Sequence, residues 1–289
     1  MRVLLFTDGH AGARAATTWL GRFAPVERSA LRIVAIAQTP SLPTKFAAAL
    51  RSFRKLAFDQ SRRLCEETST SLEGRWAELS VEVIEGDPHE RLLRAAETWK
   101  PELVVLGRSA SSEPSPSLGS VARLGGYHLE CSVLVVDRAP DAVREIVLGM
   151  DGSPSAREAT RLLSQLSFSP PPRVRALGIV NSSWRRNVDL EDIPPAIRRA
   201  LDETETQGAI DARALLTRTT APLLDRAIVE PEVLVGSPAE VLLEAARQGP
   251  ADLIAVGHQG LEPVRRLTLG SVAAQLLAAA PCSLLIGRK

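Results

Sequence analysis

The residues of this 289-residue chain best placed to do chemistry are a set of glycines, one serine and a strand-end carboxylate: Gly257-x2-Gly260-x9-Gly270-Ser271, with Asp151 upstream. The chemistry they suit is anion binding. The apolar run Leu253 to Val256 ahead of Gly257 reads as a strand, and Val272 to Ala280 behind Ser271 reads as a helix. Glycine in the turn lets the main chain approach a phosphate closely, and the N–H groups of a first helical turn face the ligand without partners of their own. The Ser271 hydroxyl adds a further donor. In a doubly wound sheet, ligands sit beyond the carboxyl ends of strands where the strand order reverses, which brings Asp151 to the same loop. Each residue also has an ordinary reading: Gly257 ends a strand, Ser271 is an N-cap, and Asp151 closes an Asx turn before Pro154. Taken jointly and in order, they favour a nucleotide site. Arg265 and Arg266 either reach a terminal phosphate from the loop or stand as solvated surface arginines. His258 has no Cys or Asp at ligand spacing, so its backbone matters more than its ring.

The elements that must position these residues occur twice. Gly86-Asp87-Pro88 opens a stretch that runs to Leu103-Val104-Val105-Leu106-Gly107, and 150 residues later Gly236-Ser237-Pro238 opens one that runs to Leu253-Ile254-Ala255-Val256-Gly257. Val3 to Asp8 likewise matches Ile146 to Asp151, Gly119-Ser120 matches Gly270-Ser271, and Cys131-Ser132 matches Cys282-Ser283. A repeat of this length means two copies of one domain. Short apolar runs at Val3–Thr7, Leu31–Ala37, Val81–Glu85, Leu103–Leu106 and Val133–Val136 are strand candidates in the first copy. Those of the second are Ile146–Met150, Val174–Val180, Glu232–Val235, Leu253–Val256 and Leu284–Ile286. Several are continuous rather than alternating, as strands covered on both faces are. Between them, Phe46, Leu50, Phe53, Ala57 and Leu64 recur near helical spacing, as do Ile197, Leu201, Ala212 and Leu215. Strands alternating with helices give an α/β fold: two tandem doubly wound, Rossmann-like domains, each with a five-stranded parallel sheet, over 1–140 and 141–289. The polar stretch Asp137 to Arg144 between them is too short for a long flexible linker, so the copies are expected to pack together.

The first copy departs from the motif. Gly107-Arg108-Ser109-Ala110 is followed, eight residues on, by Gly119-Ser120, so Ala110 replaces the second glycine and the loop is one residue short. Pro114 and Pro116 remove N–H donors, and an inward Glu113 would repel phosphate. Asp8 and Gly119-Ser120 remain, so the second copy is expected to bind while the first mainly scaffolds.

Composition bounds the partners. A net charge of +1 gives no global reason to expect nucleic acid or an acidic membrane surface. Arg51, Arg54, Lys55, Arg62 and Arg63 cluster near one helix, but without interleaved aromatics they read as a solvated face. With 45% apolar residues and a mean hydropathy of +0.01, each copy can bury its own core. Three separated cysteines without CxxC spacing argue against a disulfide framework or a zinc site, and the amino terminus lacks the succession of a signal peptide. A cytoplasmic protein is expected.

Gly257-x2-Gly260-x9-Gly270-Ser271, the strand end at Asp151-Gly152-Ser153 and the small-residue turn Gly236-Ser237-Pro238 resemble the universal stress protein family, in its tandem form, over essentially the whole chain. The resemblance implies binding of ATP or another adenine nucleotide in the second copy. Gly257, Gly260, Gly270 and Ser271 would hold the phosphates, with the adjoining Val272 also in the cofactor-binding set. Asp151, beside Met150, would lie near the ribose or a phosphate-bound magnesium ion, and Val180 would line the adenine pocket. It further implies that the copies pair through their last strands, with homo-dimers a further option. The use of the nucleotide stays open between a stress-response signal, slow ATP hydrolysis and a nucleotide-free scaffold. The chain has no Gly-x-x-x-x-Gly-Lys-Ser/Thr loop and no obvious carboxylate pair at the site to argue for turnover.

Overall fold

Val3, Leu4 and Leu5 have no exposed surface, and the strand that holds them, β1 (Arg2–Thr7), is buried from its second residue on. Burial on both faces requires helices above and below the sheet. The computed structural model describes residues 1–23, 29–40, 47–108, 118–182, 193–260 and 269–289. Ala110, Glu113, Pro114, Pro116, Arg265, Arg266 and Phe46 lie outside them. The chain divides into two compact units, Met1–Asp141 with Gln165–Ser167, and Ala142–Ser164 with Phe168–Lys289.

In the first unit β1 is followed by α1 (Ala11–Arg22), β2 (Ala30–Ala37), α2 (Ala47–Leu72), β3 (Glu78–Glu85), α3 (Pro88–Trp99), β4 (Leu103–Gly107), α4 (Ser120–His128) and β5 (Ser132–Val136). Its strands run parallel in the order β3-β2-β1-β4-β5. The second unit runs β6 (Glu145–Gly149), α5 (Pro154–Gln165), β7 (Arg173–Asn181), α6 (Pro195–Thr219), β8 (Ile228–Gly236), α7 (Pro238–Gln248), β9 (Leu253–Gly257), α8 (Ser271–Ala279) and β10 (Ser283–Gly287). Its order, β10-β9-β6-β7-β8, is again parallel and is the same arrangement. In each unit the chain turns back beside its first strand, so a crevice opens between β1 and β4, and between β6 and β9.

Two features differ from the sequence expectation. β3 and β8 begin several residues early, pairing Glu78 with Ala30 and Ile228 with Arg173. Both are edge strands in their units, where charge and a proline such as Pro231 are tolerated, and those residues hide the strand signal. The helical stripe of α2 does not mark the core: Phe53 is 44% exposed, and with Ala57 and Leu64 it lines an open cleft shared with Asp8 and Ile36. Its buried residues are Cys65, Thr68 and Leu72. None of the three cysteines is in a disulfide, and burial pushes the Cys65 thiol up to about 11, which leaves it unreactive. Among the described residues no helix is long and apolar enough to cross a membrane.

Candidate functional site

Asp151 leaves the end of β6 in an Asx turn. Its Oδ1 accepts a hydrogen bond from the Ser153 amide at 2.9 Å, and the intervening Gly152 takes φ +82°, a left-handed conformation that disfavours any side chain. The Ser153 hydroxyl lies 3.1 Å from the Ala156 amide at the start of α5, and the Ser155 hydroxyl donates to the Gln259 carbonyl at 2.6 Å. A chain of hydroxyls therefore ties the strand-end turn to the glycine loop across the crevice. Gly260 closes the gap: a β-carbon added there would lie 3.0 Å from Asp151 Oδ2.

The other end of the loop is fixed by main chain. The His258 amide donates to the Gly287 carbonyl at 2.8 Å, and the Gly270 amide donates to the His258 carbonyl at 2.7 Å. Gly270 therefore spends its N–H on the loop rather than offering it to a ligand. α8 begins directly afterwards, and its first intrahelical bond runs from the Ala274 amide to the Gly270 carbonyl. The amides of Ser271, Val272 and Ala273 are thus the ones a helix leaves without intrahelical partners. They carry the positive end of the helix dipole, an arrangement that attracts anions.

These parts surround a cavity of about 160 Å³ lined by Gly149, Met150 and Asp151, by Leu177 and Ile179 of β7, by Pro238 and Leu242 of α7, and by residues of the glycine loop and α8. Met150, Asp151, Gly257, Gly260, Gly270 and Val272 come together on it. Val180 and Ser271 do not line it. Alternation along β7 puts Leu177 and Ile179 on the cavity face and turns Val180 to the other, where its methyls lie 3.5 and 3.6 Å from where a β-carbon on Gly208 of α6 would be. Ser271 is exposed as the first residue of α8. Gly257 has a packing role of its own: a β-carbon there would lie 2.6 Å from the Ala156 amide nitrogen, so its bare backbone lets α5 close on β9. His258 is buried at 9% exposure. Burial first, and the nearby Arg288 charge second, push its imidazole below its usual value and leave it neutral at pH 7.

The apolar walls Gly149, Leu177, Ile179, Leu242 and Val256 were not singled out from the sequence. A period-2 reading of β7 from Leu177 would have placed Ile179 on the shared face, whereas Leu242 enters only through the packing of α7. Among the described residues, no group of three His, Cys, Asp or Glu side chains is positioned to hold a metal ion.

Comparison with known proteins agrees with this frame. The model of the Universal stress protein family matches residues 1–137 and again 142–288. The chain is similar to the universal stress protein in QAH/OAS sulfhydrylase 3'region of Thermus aquaticus, at 32% identity over 148 residues, covering 50% of this chain and 98% of that one. It is 30% identical over 198 residues to a universal stress protein of Mycolicibacterium smegmatis, covering 65% of this chain and 62% of the relative. Among solved structures, a universal stress protein from Archaeoglobus fulgidus DSM 4304 superposes with a TM-score of 0.64 at 17% identity, covering 99% of this chain and 98% of that one, a likeness of fold.

Proposed function

We propose, from the premise that this chain belongs to the universal stress protein family, that its second unit binds an adenine nucleotide, ATP in the first instance, and serves as a stress-response signalling or regulatory module. The observation that carries the reading is a single cavity bounded by a strand-end carboxylate, a glycine loop and a helix start with free amides. The phosphates would lie against the Gly260 backbone and the first turn of α8, where main-chain donors and the helix dipole favour negative charge. The base would enter the aliphatic end between Leu177, Ile179 and Leu242. Asp151 would accept a ribose hydroxyl or hold a magnesium ion. The donor set here suits magnesium only as a companion of the nucleotide, since that ion is commonly held by one or two carboxylates together with phosphate oxygens. When bound, the ion would neutralise phosphate charge. The first unit would act as scaffold.

Mass analysis of nucleotide released from purified protein, followed by calorimetry, tests this. We expect an adenylate and a stoichiometry near one per chain. Gly260→Val, which sets methyls against Asp151, should abolish binding in a protein that still unfolds cooperatively. Two equivalent sites, or binding untouched by Gly260→Val, would overturn the assignment.

We also propose that the units pair through β5 and β10, each at one edge of its own sheet with a run of apolar residues that needs cover. Their amides should then exchange with solvent more slowly than those of the opposite edges, β3 and β8. Equally fast exchange at all four would count against pairing.

A further inference from the structure

Because the two units share one frame, a difference at matched positions isolates what a side chain does. β1 pairs Val3 with Leu103 and β6 pairs Ile146 with Leu253, which sets Phe6 against Gly149, each two residues before the strand-end aspartate. Gly149 lines the second unit's cavity of about 160 Å³. A β-carbon built on it would lie 3.0 Å from Val256 Cγ1 and 3.1 Å from both methyls of Leu242, so any side chain there must enter the space those residues enclose. Phe6 lines the matched cavity of the first unit, which measures about 50 Å³, and its ring is buried at 6% exposure. Along the strand end and the loop the matched walls keep their character, with Leu106 for Val256, Gly119 for Gly270, Val121 for Val272 and Ala122 for Ala273, whereas Ile36 and Pro88, matched to Ile179 and Pro238, line the open cleft against α2 instead. At the floor, between those shared walls, an aromatic ring in the first unit stands where the second has a hydrogen atom.

We infer that Gly149 selects which unit admits the planar aromatic group of a ligand, and that Phe6 fills the same place in the first unit as a built-in substitute for that group. For a nucleotide this rests on the reading of the second unit given above. The selector itself is a statement about space and applies to any flat heteroaromatic. A cavity of about 160 Å³ falls below the ~300 Å³ at which pockets for whole small molecules begin, so it suits one ring system with the rest of the ligand outside. Its walls are aliphatic, so shape and desolvation hold the ring. The asymmetry between the units would then be fixed at the floor of the cleft as well as at the phosphate loop.

The test uses the full chain with three probes: ATP, adenosine, and benzimidazole, which lacks both ribose and phosphate. Binding is followed by calorimetry and by chemical shifts of methyls in each unit. Wild type should bind all three in the second unit only. Gly149→Phe should weaken adenosine and benzimidazole at least about tenfold, equivalent to roughly 1.4 kcal/mol, and Gly149→Ala should fall between it and wild type. Phe6→Ala should open a second benzimidazole site in the first unit without changing the first, and urea unfolding checks that each variant is folded. Should Gly149→Phe fail to fold, Gly149→Ala and Phe6→Ala decide the matter. Benzimidazole binding that follows these variants while ATP does not bind would retain the selector and discard the nucleotide reading. Benzimidazole and adenosine that bind nowhere in wild type, or site counts and affinities unmoved by the variants, would overturn the selector.

Discussion

The two strand-end turns begin alike and then diverge. Asp8 and Asp151 each accept a hydrogen bond from the amide two residues on, at 3.0 and 2.9 Å, and Gly9 and Gly152 both take positive φ. Arg14 and Arg157 each donate to the carbonyl of the glycine beside them. In the second unit Ser153 and Ser155 carry the contact onward to Gln259. The matched residues of the first unit are His10 and Gly12, and glycine has no hydroxyl to offer. There the residue after the strand-end glycine is Arg108, buried and paired with Asp137 at 3.2 Å, where the second unit has a neutral histidine. The Asx turn therefore belongs to the fold, since both units keep it. The hydroxyl bridge belongs to the cleft that keeps its glycine loop, so the two units share a frame and differ in what crosses it.

Three measurements would break or sharpen this comparison. The largest effect is expected where the units agree. A β-carbon on Gly107 would lie 2.2 Å from the Gly12 carbonyl carbon, and one on Gly257 would lie 2.6 Å from the Ala156 amide nitrogen. Helix backbone cannot swing aside as a side chain can. Gly107→Ala should therefore cost about 3 kcal/mol in urea unfolding and Gly257→Ala about 2 kcal/mol, the upper part of the range for overpacking. A Gly257→Ala protein of unchanged stability and weakened nucleotide affinity would move that glycine from packing to ligand contact.

Next comes the aspartate pair. Asp151→Ala should reduce nucleotide affinity by about 1–3 kcal/mol, the range for removing a charged hydrogen-bond partner, while Asp8→Ala should leave it nearly unchanged. Equal losses would mean that the first cleft also binds and would end the asymmetry. If metal removal and Asp151→Ala cost the same and do not add, the carboxylate acts through the metal.

The smallest effect is a pH dependence. The His258 imidazole titrates below 6.5 in the folded protein because it is buried, whereas in the unfolded chain it should titrate near 6.5. Between those values the unfolded state binds the extra proton, so stability is full above pH 6.5 and declines as pH falls through that window. The urea midpoint should follow this slope, and His258→Gln should flatten it. A midpoint that rises on acidification would contradict the burial of the ring.

Much of this was legible in the sequence. The repeat set out the strand–helix order of both units, and apolar runs marked the buried strands well because a strand covered on both faces has little choice of residue, while the exposed edge strands β3 and β8 were marked only over their later residues. Gly260, Gly270 and Asp151 could be brought to one crevice by spacing and by the reversal of strand order. The walls of the cavity could not. Leu242 reaches it through helix packing, and Gly149, inside an apolar strand run, carries no mark in the sequence that sets it apart from its buried counterpart Phe6. Spacing likewise cannot distinguish a glycine kept for a ligand from one kept for a helix, and Gly257 serves the helix on the geometry of its neighbours.

Both glycine loops are clasped at their base by one main-chain bond of 2.7 Å, from Gly119 to Arg108 and from Gly270 to His258. Ten residues, 109–118, lie between the clasped pair in the first unit and eleven, 259–269, in the second. Since closure entropy grows only with the logarithm of length, that one-residue difference is worth less than about 0.1 kcal/mol. The clasp closes each segment at its base, so a change of one residue in its length costs folding almost nothing. A loop can therefore lengthen or shorten by a residue above an unchanged clasp.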